Sequence, residues 1–320
     1  MRDWQPAPLS WSFSKKIHFD SCKRFYFLHR FWGQDIRARW QLYEMRNITT
    51  LIMLRGSVVH SVISEALESL KTPNPMDYTR CKGRITEILR EKYKESYFKM
   101  WKKENLPIGK KQSQITNLLE HYYNMENTKE RAKEMQESAW QAVHNLIQSD
   151  LWQSISSKCN LSEAYIEKEN SFPNFNLDGI LVYAKLDFAS KIDGVPTIID
   201  WKTGKHTETD RQQLIFYSIF AKEKWGWNPE ETKLCACYLL PDMQIDEFYP
   251  SKEDIEYAKN QAKENFEEML KLEPAPNEPA NIENFPITDD LFNCRICRYQ
   301  GICEGGKRIE NKKDWDEPSL

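Results

Sequence analysis

Asp187, Asp200 and Lys202 are spaced so that one tight turn would bring two carboxylates and an ammonium group together. Between them lies Asp193-Gly194, a dipeptide suited to a type I′ hairpin turn, whose two central residues both need a positive φ. A two-residue loop there sets Asp187 opposite Asp200 in a non-hydrogen-bonded pair, with Cβ atoms roughly 5 Å apart. Like charges so opposed destabilise a sheet, and a divalent cation would offset the repulsion. Lys202, two residues past Asp200, shares its face by the period of two. The other face carries Phe188, Ile192, Val195, Ile199 and Trp201, as a core-facing side should. On spacing alone, the solvated face of an antiparallel hairpin carries the same residue types.

A second group of candidate ligands is Cys294, Cys297 and Cys303. Three thiols packed this closely point to a metal site lacking one ligand, for which zinc is the generic occupant, or to reduced, buried cysteines. Cys81, Cys159, Cys235 and Cys237 lack such spacing and read as core or incidental residues.

Elements must position these groups. The chain of 320 residues, 40% of them hydrophobic, can bury a sizeable core, which excludes a disordered or fibrous protein. Its net charge of -3 provides no global positive field, so contact with nucleic acid must come from local patches. No apolar run approaches the roughly 18 residues of a membrane span, and Met1 to Pro8 lacks a secretory apolar segment. The expectation is a soluble, cytoplasmic protein without disulfides.

Apolar periodicity predicts an amphipathic helix over 14–30 and another over 56–70, with His60 in its first turns. Further helical patterns cover 84–150, including Ile115, Leu118, Leu119 and Tyr122, and then Ala132 to Ile147. The period changes to strands over 165–172 and 180–201, broken by Asp178-Gly179 and Asp193-Gly194. A helix over 212–225, a strand over 234–240 and a helix over 251–272 follow. Four prolines between Glu273 and Pro286 mark a linker. This divides the chain into an N-terminal arm (1–70), a helical subdomain (71–160), a core (161–272) and a cysteine-bearing tail (273–320).

Taken with other motifs, the hairpin resembles the RecB-like iron–sulfur branch of the PD-(D/E)xK nuclease superfamily, which includes CRISPR-associated and AddB-like exonucleases. Gly56-Ser-Val-Val-His60 looks like the family's histidine motif. Leu186-Asp187 with Ile199-Asp200-Trp201-Lys202-Thr203-Gly204 looks like its D…D-x-K-T-G signature, and Gln213-Leu214 with Tyr217 like its Q-L-x-x-Y helix. Ala184 stands where the family often has glycine. The resemblance implies an α/β fold: a restriction-endonuclease-like central mixed sheet flanked by helices, with an inserted helical subdomain and an iron–sulfur tail.

The resemblance also assigns roles. Asp187 and Asp200 would bind Mg²⁺ or Mn²⁺, hard cations that prefer oxygen ligands, with His60 adding a nitrogen. Lys202 would orient or activate water, and Gln213 and Tyr217 would flank the lysine and the DNA backbone. Apart from the resemblance, Glu169, on the strand before the hairpin, either reaches the site or is simply solvated. Cys22 looks like the first of four cysteines that, with Cys294, Cys297 and Cys303, hold a 4Fe-4S cluster, although Lys23 replaces the usual proline after it. Such a cluster would be structural and clamp the two chain ends.

The implied activity is metal-dependent DNA hydrolysis, by an exonuclease or endonuclease on single-stranded or end-bearing DNA, in repair, recombination or defence. Protein partners in such a complex fit the same reading. Lys82, Arg84, Arg90, Lys92, Lys94, Lys99, Lys102, Lys103, Lys110 and Lys111 make 71–160 locally basic, which suits phosphate contact. Two rivals stand beside it: a non-catalytic nucleic-acid-binding or assembly subunit, and a zinc-stabilised RNA-processing enzyme.

Overall fold

The structure, a computed structural model, describes residues 5–168 and 171–309. Two compact units interleave along the chain. Of the described residues, the first comprises 5–51, 91–131 and 263–309; the second comprises 52–90, 132–168 and 171–262. Residues 71–160, read from sequence as one subdomain, contribute to both.

The first unit begins with a two-residue strand β1 (Trp11–Ser12), then α1 (Phe13–Ser21), α2 (Lys23–Arg30), α3 (Arg39–Arg46) and β2 (Ile48–Thr49). The expected single helix over 14–30 is two. Cys22 adopts an extended conformation (φ -163°, ψ 111°), and its Sγ accepts the Phe25 amide at 3.4 Å. The thiol thus acts as an N-cap, which lets the chain turn between helices. The helix expected around 115–122 is also not formed. Its residues split between β3 (Asn117–Leu118), which pairs in parallel with β2, and the single turn α6 (Leu119–Tyr122). Phe19, Tyr26, Phe27 and Phe31 pack with Met269, Ala280 and Phe285. Arg24 donates from its amide to Pro286 O (3.1 Å) and from Nε to Phe285 O (2.8 Å), so the arm and the tail are joined by backbone bonds as well as by packing.

Helices α4 (Leu51–Ser69), α5 (Tyr78–Tyr97), α7 (Thr128–Ile147) and α10 (Lys252–Lys271) carry the chain from one unit to the other. The second unit adds α8 (Asp150–Lys158) and a five-stranded mixed sheet. Its strands are β4 (Tyr165–Ile166), β7 (Phe188–Ile192), β8 (Val195–Lys202), β9 (Lys233–Tyr238) and β10 (Gln244–Phe248), in the order β10-β9-β8-β7-β4. Only β8 and β9 run parallel, and α9 (Glu208–Trp225) connects them. That helix is buried on every side over Leu214–Ala221, as a covered crossover requires, and ends on Gly226 in the left-handed region (φ 70°). β5 (Asn174–Leu177) and β6 (Ile180–Tyr183) form a hairpin at Asp178-Gly179.

The Asp193-Gly194 turn forms as its chemistry dictates. Both residues have positive φ (52° and 81°), and Ile192 pairs with Val195 and Phe188 with Ile199. The expected division into one packed and one polar face does not hold, because β8 is the central strand. Ile198, Ile199, Asp200 and Trp201 are consecutively buried, so Asp200 shares its face with covered apolar neighbours. Edge strand β10 has no counterpart among the expected elements, since Gln244, Asp246 and Glu247 break its apolar signal. The strand expected over 165–172 shortens to β4, and Glu169 lies outside the described residues. Among the described residues no helix is long and apolar enough to cross a membrane.

Gly194→Ala is expected to cost about 1–2 kcal/mol in denaturant unfolding, the usual penalty for a Cβ in the left-handed region. A Cβ there meets nothing within 4 Å, so the loss would be purely conformational, and an unchanged midpoint would contradict it.

Candidate active site

The β7 ladder begins at Phe188 because the side chain of Asp187 intervenes: its Oδ2 accepts the Trp201 amide at 2.7 Å, the N–H that the next rung would use. The carboxylate is thereby fixed at the end of the hairpin, in the register that faces Asp200. Both aspartates are buried, at 6% and 4% exposure. On the far side of β7, Ile166 pairs with Phe188, and the Glu167 amide continues that ladder to Asp187 O at 2.9 Å. Glu167 is therefore brought beside Asp187 by the register of β4, and its carboxylate is ion-paired with Lys185.

Helix α4 supplies the nitrogen. A Cβ on Gly56 would lie 3.3 Å from Thr203 Oγ1, so the glycine permits close approach of the helix to the loop after β8. Arg55, fully buried beside it, donates to Thr203 O (2.8 Å) and Ser138 Oγ (3.0 Å). His60 follows one turn after Gly56 and so projects from the same face. Its Nδ1 lies 3.1 Å from Asp187 Oδ1. It sits in the third turn of α4, not near the start, because the helix begins at Leu51. The candidate ligand atoms of His60, Glu167 and Asp187 all lie within 4.8 Å of one another.

Asp200 meets the lysine of its own strand. Lys202 Nζ is 2.7 Å from its Oδ2, a contact without hydrogen-bond alignment, and the same ammonium donates to Gln213 Oε1 at 2.7 Å. Gln213 Nε2 in turn donates to Tyr217 Oη at 2.7 Å. All six residues read from the sequence as site residues on the hairpin, α4 and α9 thus converge. Three further residues belong to the cluster: Glu167, Asp210 and Tyr238. Asp210 lies 3.2 Å from Lys202 Nζ, and Tyr238 donates to it at 2.8 Å. In sequence, Thr207 and Asp210 carry the spacing of a helix capping box, which hides the second role of the aspartate.

The charges are strongly coupled. Burial, reinforced by the Asp187 charge and opposed by Lys202, pushes the Asp200 carboxyl up to about 6. Burial would lower His60, but the adjacent Asp187 carboxylate outweighs it and raises the imidazole to about 9. Asp187 shows the reverse balance: burial favours its neutral form, yet His60 and the Trp201 amide hold it below its ordinary value. Lys202, despite burial, is raised by Asp200 and Asp210 and stays charged. The set offers hard oxygen donors and one imidazole around a buried, incompletely bonded Asp200 oxygen, which fits a divalent cation such as Mg²⁺ or Mn²⁺.

Cys22, Cys294, Cys297 and Cys303 are all unpaired by disulfides and all belong to the first unit. Cys294 lies in α11 (Leu291–Arg295), and Cys303 precedes α12 (Glu304–Lys307). Cys297 Sγ accepts the Tyr299 amide at 3.4 Å, as Cys22 Sγ accepts that of Phe25. A Cβ on Gly305 would sit 3.1 Å from Cys294 Sγ and 3.7 Å from Cys303 Sγ, so the backbone passes directly against both sulfurs. Burial first, and the other three cysteines among the further causes, pushes the Cys297 thiol up to about 12.

The sequence profile of the PD-(D/E)XK nuclease superfamily matches residues 10–304, and the chain belongs to that superfamily. Among solved structures it is similar to a candidate exonuclease from Eubacterium rectale, at 13% identity over 85% of this chain and 84% of that one, with a TM-score of 0.43. It is also similar to SSO0001, at 16% identity over 58% and 78%, with a TM-score of 0.30. No curated protein matches the chain in sequence.

Asp200 and His60 must both be deprotonated to ligate a cation, so protons compete with it. With folded values of about 6 and about 9, apparent Mn²⁺ affinity should rise with pH between 6 and 9 and fall more steeply below 6. The expected slope is about tenfold per pH unit for each proton displaced. Calorimetric titration at pH 5 to 8 checks this, and an affinity independent of pH would contradict it.

Proposed function

We propose that the chain is a metal-dependent DNA nuclease that hydrolyses phosphodiester bonds in single-stranded or end-bearing DNA, in a repair, recombination or defence setting. One observation carries the reading: the candidate ligand atoms of His60, Glu167 and Asp187 lie within 4.8 Å of one another, and buried Asp200, ion-paired with Lys202, is electrostatically coupled to Asp187 and His60. Asp187 and Asp200, with His60 or Glu167, would hold Mg²⁺ or Mn²⁺. Such a cation supplies Lewis acidity, favouring ionisation of an attacking water and offsetting charge on the scissile phosphate. Lys202, fixed by Gln213, presents an ammonium to orient that water. Tyr217 fixes Gln213 in turn, so the helix positions the lysine. Exposed Lys94, Lys99, Lys103, Lys110 and Lys111 are suited to phosphate contact, whereas Lys82, Arg84 and Lys92 are engaged with Trp140, Glu65 and Glu95.

The four cysteines form the donor set for a 4Fe-4S cluster, supported by the amides aimed at two of the sulfurs and by the side-chain-free Gly305 beside two. The cluster's role would be to tie the arm to the tail.

End-labelled single- and double-stranded DNA should be cleaved with Mn²⁺ or Mg²⁺, and EDTA or Asp200→Ala should reduce cleavage by at least about 10³-fold. Wild-type protein that binds but never cuts would favour the non-catalytic subunit. For the cysteines, anaerobic purification should yield brown protein absorbing near about 400 nm, lost in Cys297→Ser. Colourless protein with stoichiometric zinc would overturn that part.

A further inference from the structure

Three oxygens lie close to the Lys202 ammonium: Asp200 Oδ2 as an ion-pair partner at 2.7 Å, Gln213 Oε1 as a hydrogen-bond acceptor at 2.7 Å and Asp210 Oδ1 as an ion-pair partner at 3.2 Å. The first is a ligand that a cation needs. The third is held rigidly, because its other oxygen accepts the Thr207 amide at 2.9 Å and the Tyr238 hydroxyl at 2.8 Å. Parallel pairing of β8 with β9 sets Tyr238 directly beside Lys202, and Asp210, Gln213 and Tyr217 share one stripe of α9 at three- and four-residue steps. One carboxylate oxygen of Asp210 thus completes the helix cap while the other faces the lysine. A capping box alone needs neither a tyrosine donor nor burial, yet Asp210 is 8% exposed and has both.

We propose that Asp210, anchored by Tyr238, is a second seat for the Lys202 ammonium, which lets the lysine give up the Asp200 carboxylate when a divalent cation takes it. This rests on the metal-dependent reading above and names a positioning pair within it. Without the second seat, Asp200 is the only carboxylate among the described residues within ion-pair distance of Lys202, and the ammonium competes directly with the cation. With it, the lysine stays within the site, held by Asp210 and Gln213. The ion-pair partner changes but the ammonium is never left without a carboxylate, an arrangement that buried charge demands.

The test is a double-mutant cycle read by calorimetric Mn²⁺ titration at fixed pH, with no substrate present. Asn at 210 keeps an acceptor for both Thr207 and Tyr238 while removing the charge. Asp210→Asn should weaken Mn²⁺ binding about tenfold or more in the wild-type background. In a Lys202→Met background, where no ammonium competes, the same substitution should cost less than about threefold, the residual effect of one lost charge. Tyr238→Phe, which leaves every charge in place, should weaken binding by an intermediate factor only while Lys202 is present. Equal weakening by Asp210→Asn in both backgrounds, or none in either, overturns the second seat while leaving the metal site intact. Failure of the wild-type chain to bind Mn²⁺ at all would remove the nuclease reading and this inference with it.

Discussion

Two carboxylates are buried side by side at the end of one hairpin, and the second unit is arranged around that burden. Burial and the neighbouring Asp187 charge both push the Asp200 carboxyl up, so holding the pair ionised is costly. Asp187 and Asp200 are nonetheless held in place by the structure that surrounds them. The Asp193-Gly194 turn sets their register, the Trp201 amide fixes one carboxylate, and the central position of β8 keeps the other from water. An arrangement so costly persists where its surroundings over-determine it, which is characteristic of sites that do chemistry.

Compensation is split by element. On the Asp187 side, α4 brings in His60 and β4 brings in Glu167. On the Asp200 side, α9 brings in Gln213 and Asp210 around Lys202, and β9 adds Tyr238. The crossover from β8 through α9 to β9 is therefore more than a connection, since both its helix and its returning strand converge on the lysine. Gly56 and Arg55 do the same work for α4, the first by omitting a side chain and the second by filling the buried space with directed bonds. The first unit is built differently, from an aromatic cluster that joins the arm to the tail beside four cysteines.

How much of this the sequence disclosed follows from what is local. The Asp193-Gly194 register was legible because turn chemistry and a period of two determine it within about 16 residues. His60, Gln213 and Tyr217 were reachable only through their motif spacing, as a lone helical histidine says little by itself. Glu167 was not legible: it reaches Asp187 through β4, a two-residue strand whose partner lies more than 20 residues away. Asp210 was not legible because its spacing from Thr207 is that of an ordinary helix cap and says nothing of the lysine. The break at Cys22 was missed because the apolar period continues across it, while the thiol quietly supplies the cap. Residues 115–122 misled for the opposite reason, since a helical apolar period there serves a short strand and one turn.

The central claim is that the buried carboxylates are kept for a divalent cation. It is tested most directly by following the melting temperature of wild-type and Asp200→Asn protein as Mn²⁺ is added at neutral pH. Metal-free Asp200→Asn protein should be at least as stable as wild type, because a buried like charge is gone. Only the wild type should then gain stability as Mn²⁺ rises, by the amount that ligand binding to the folded state confers. A wild-type melting temperature indifferent to Mn²⁺, or an equal rise in both proteins, would contradict it.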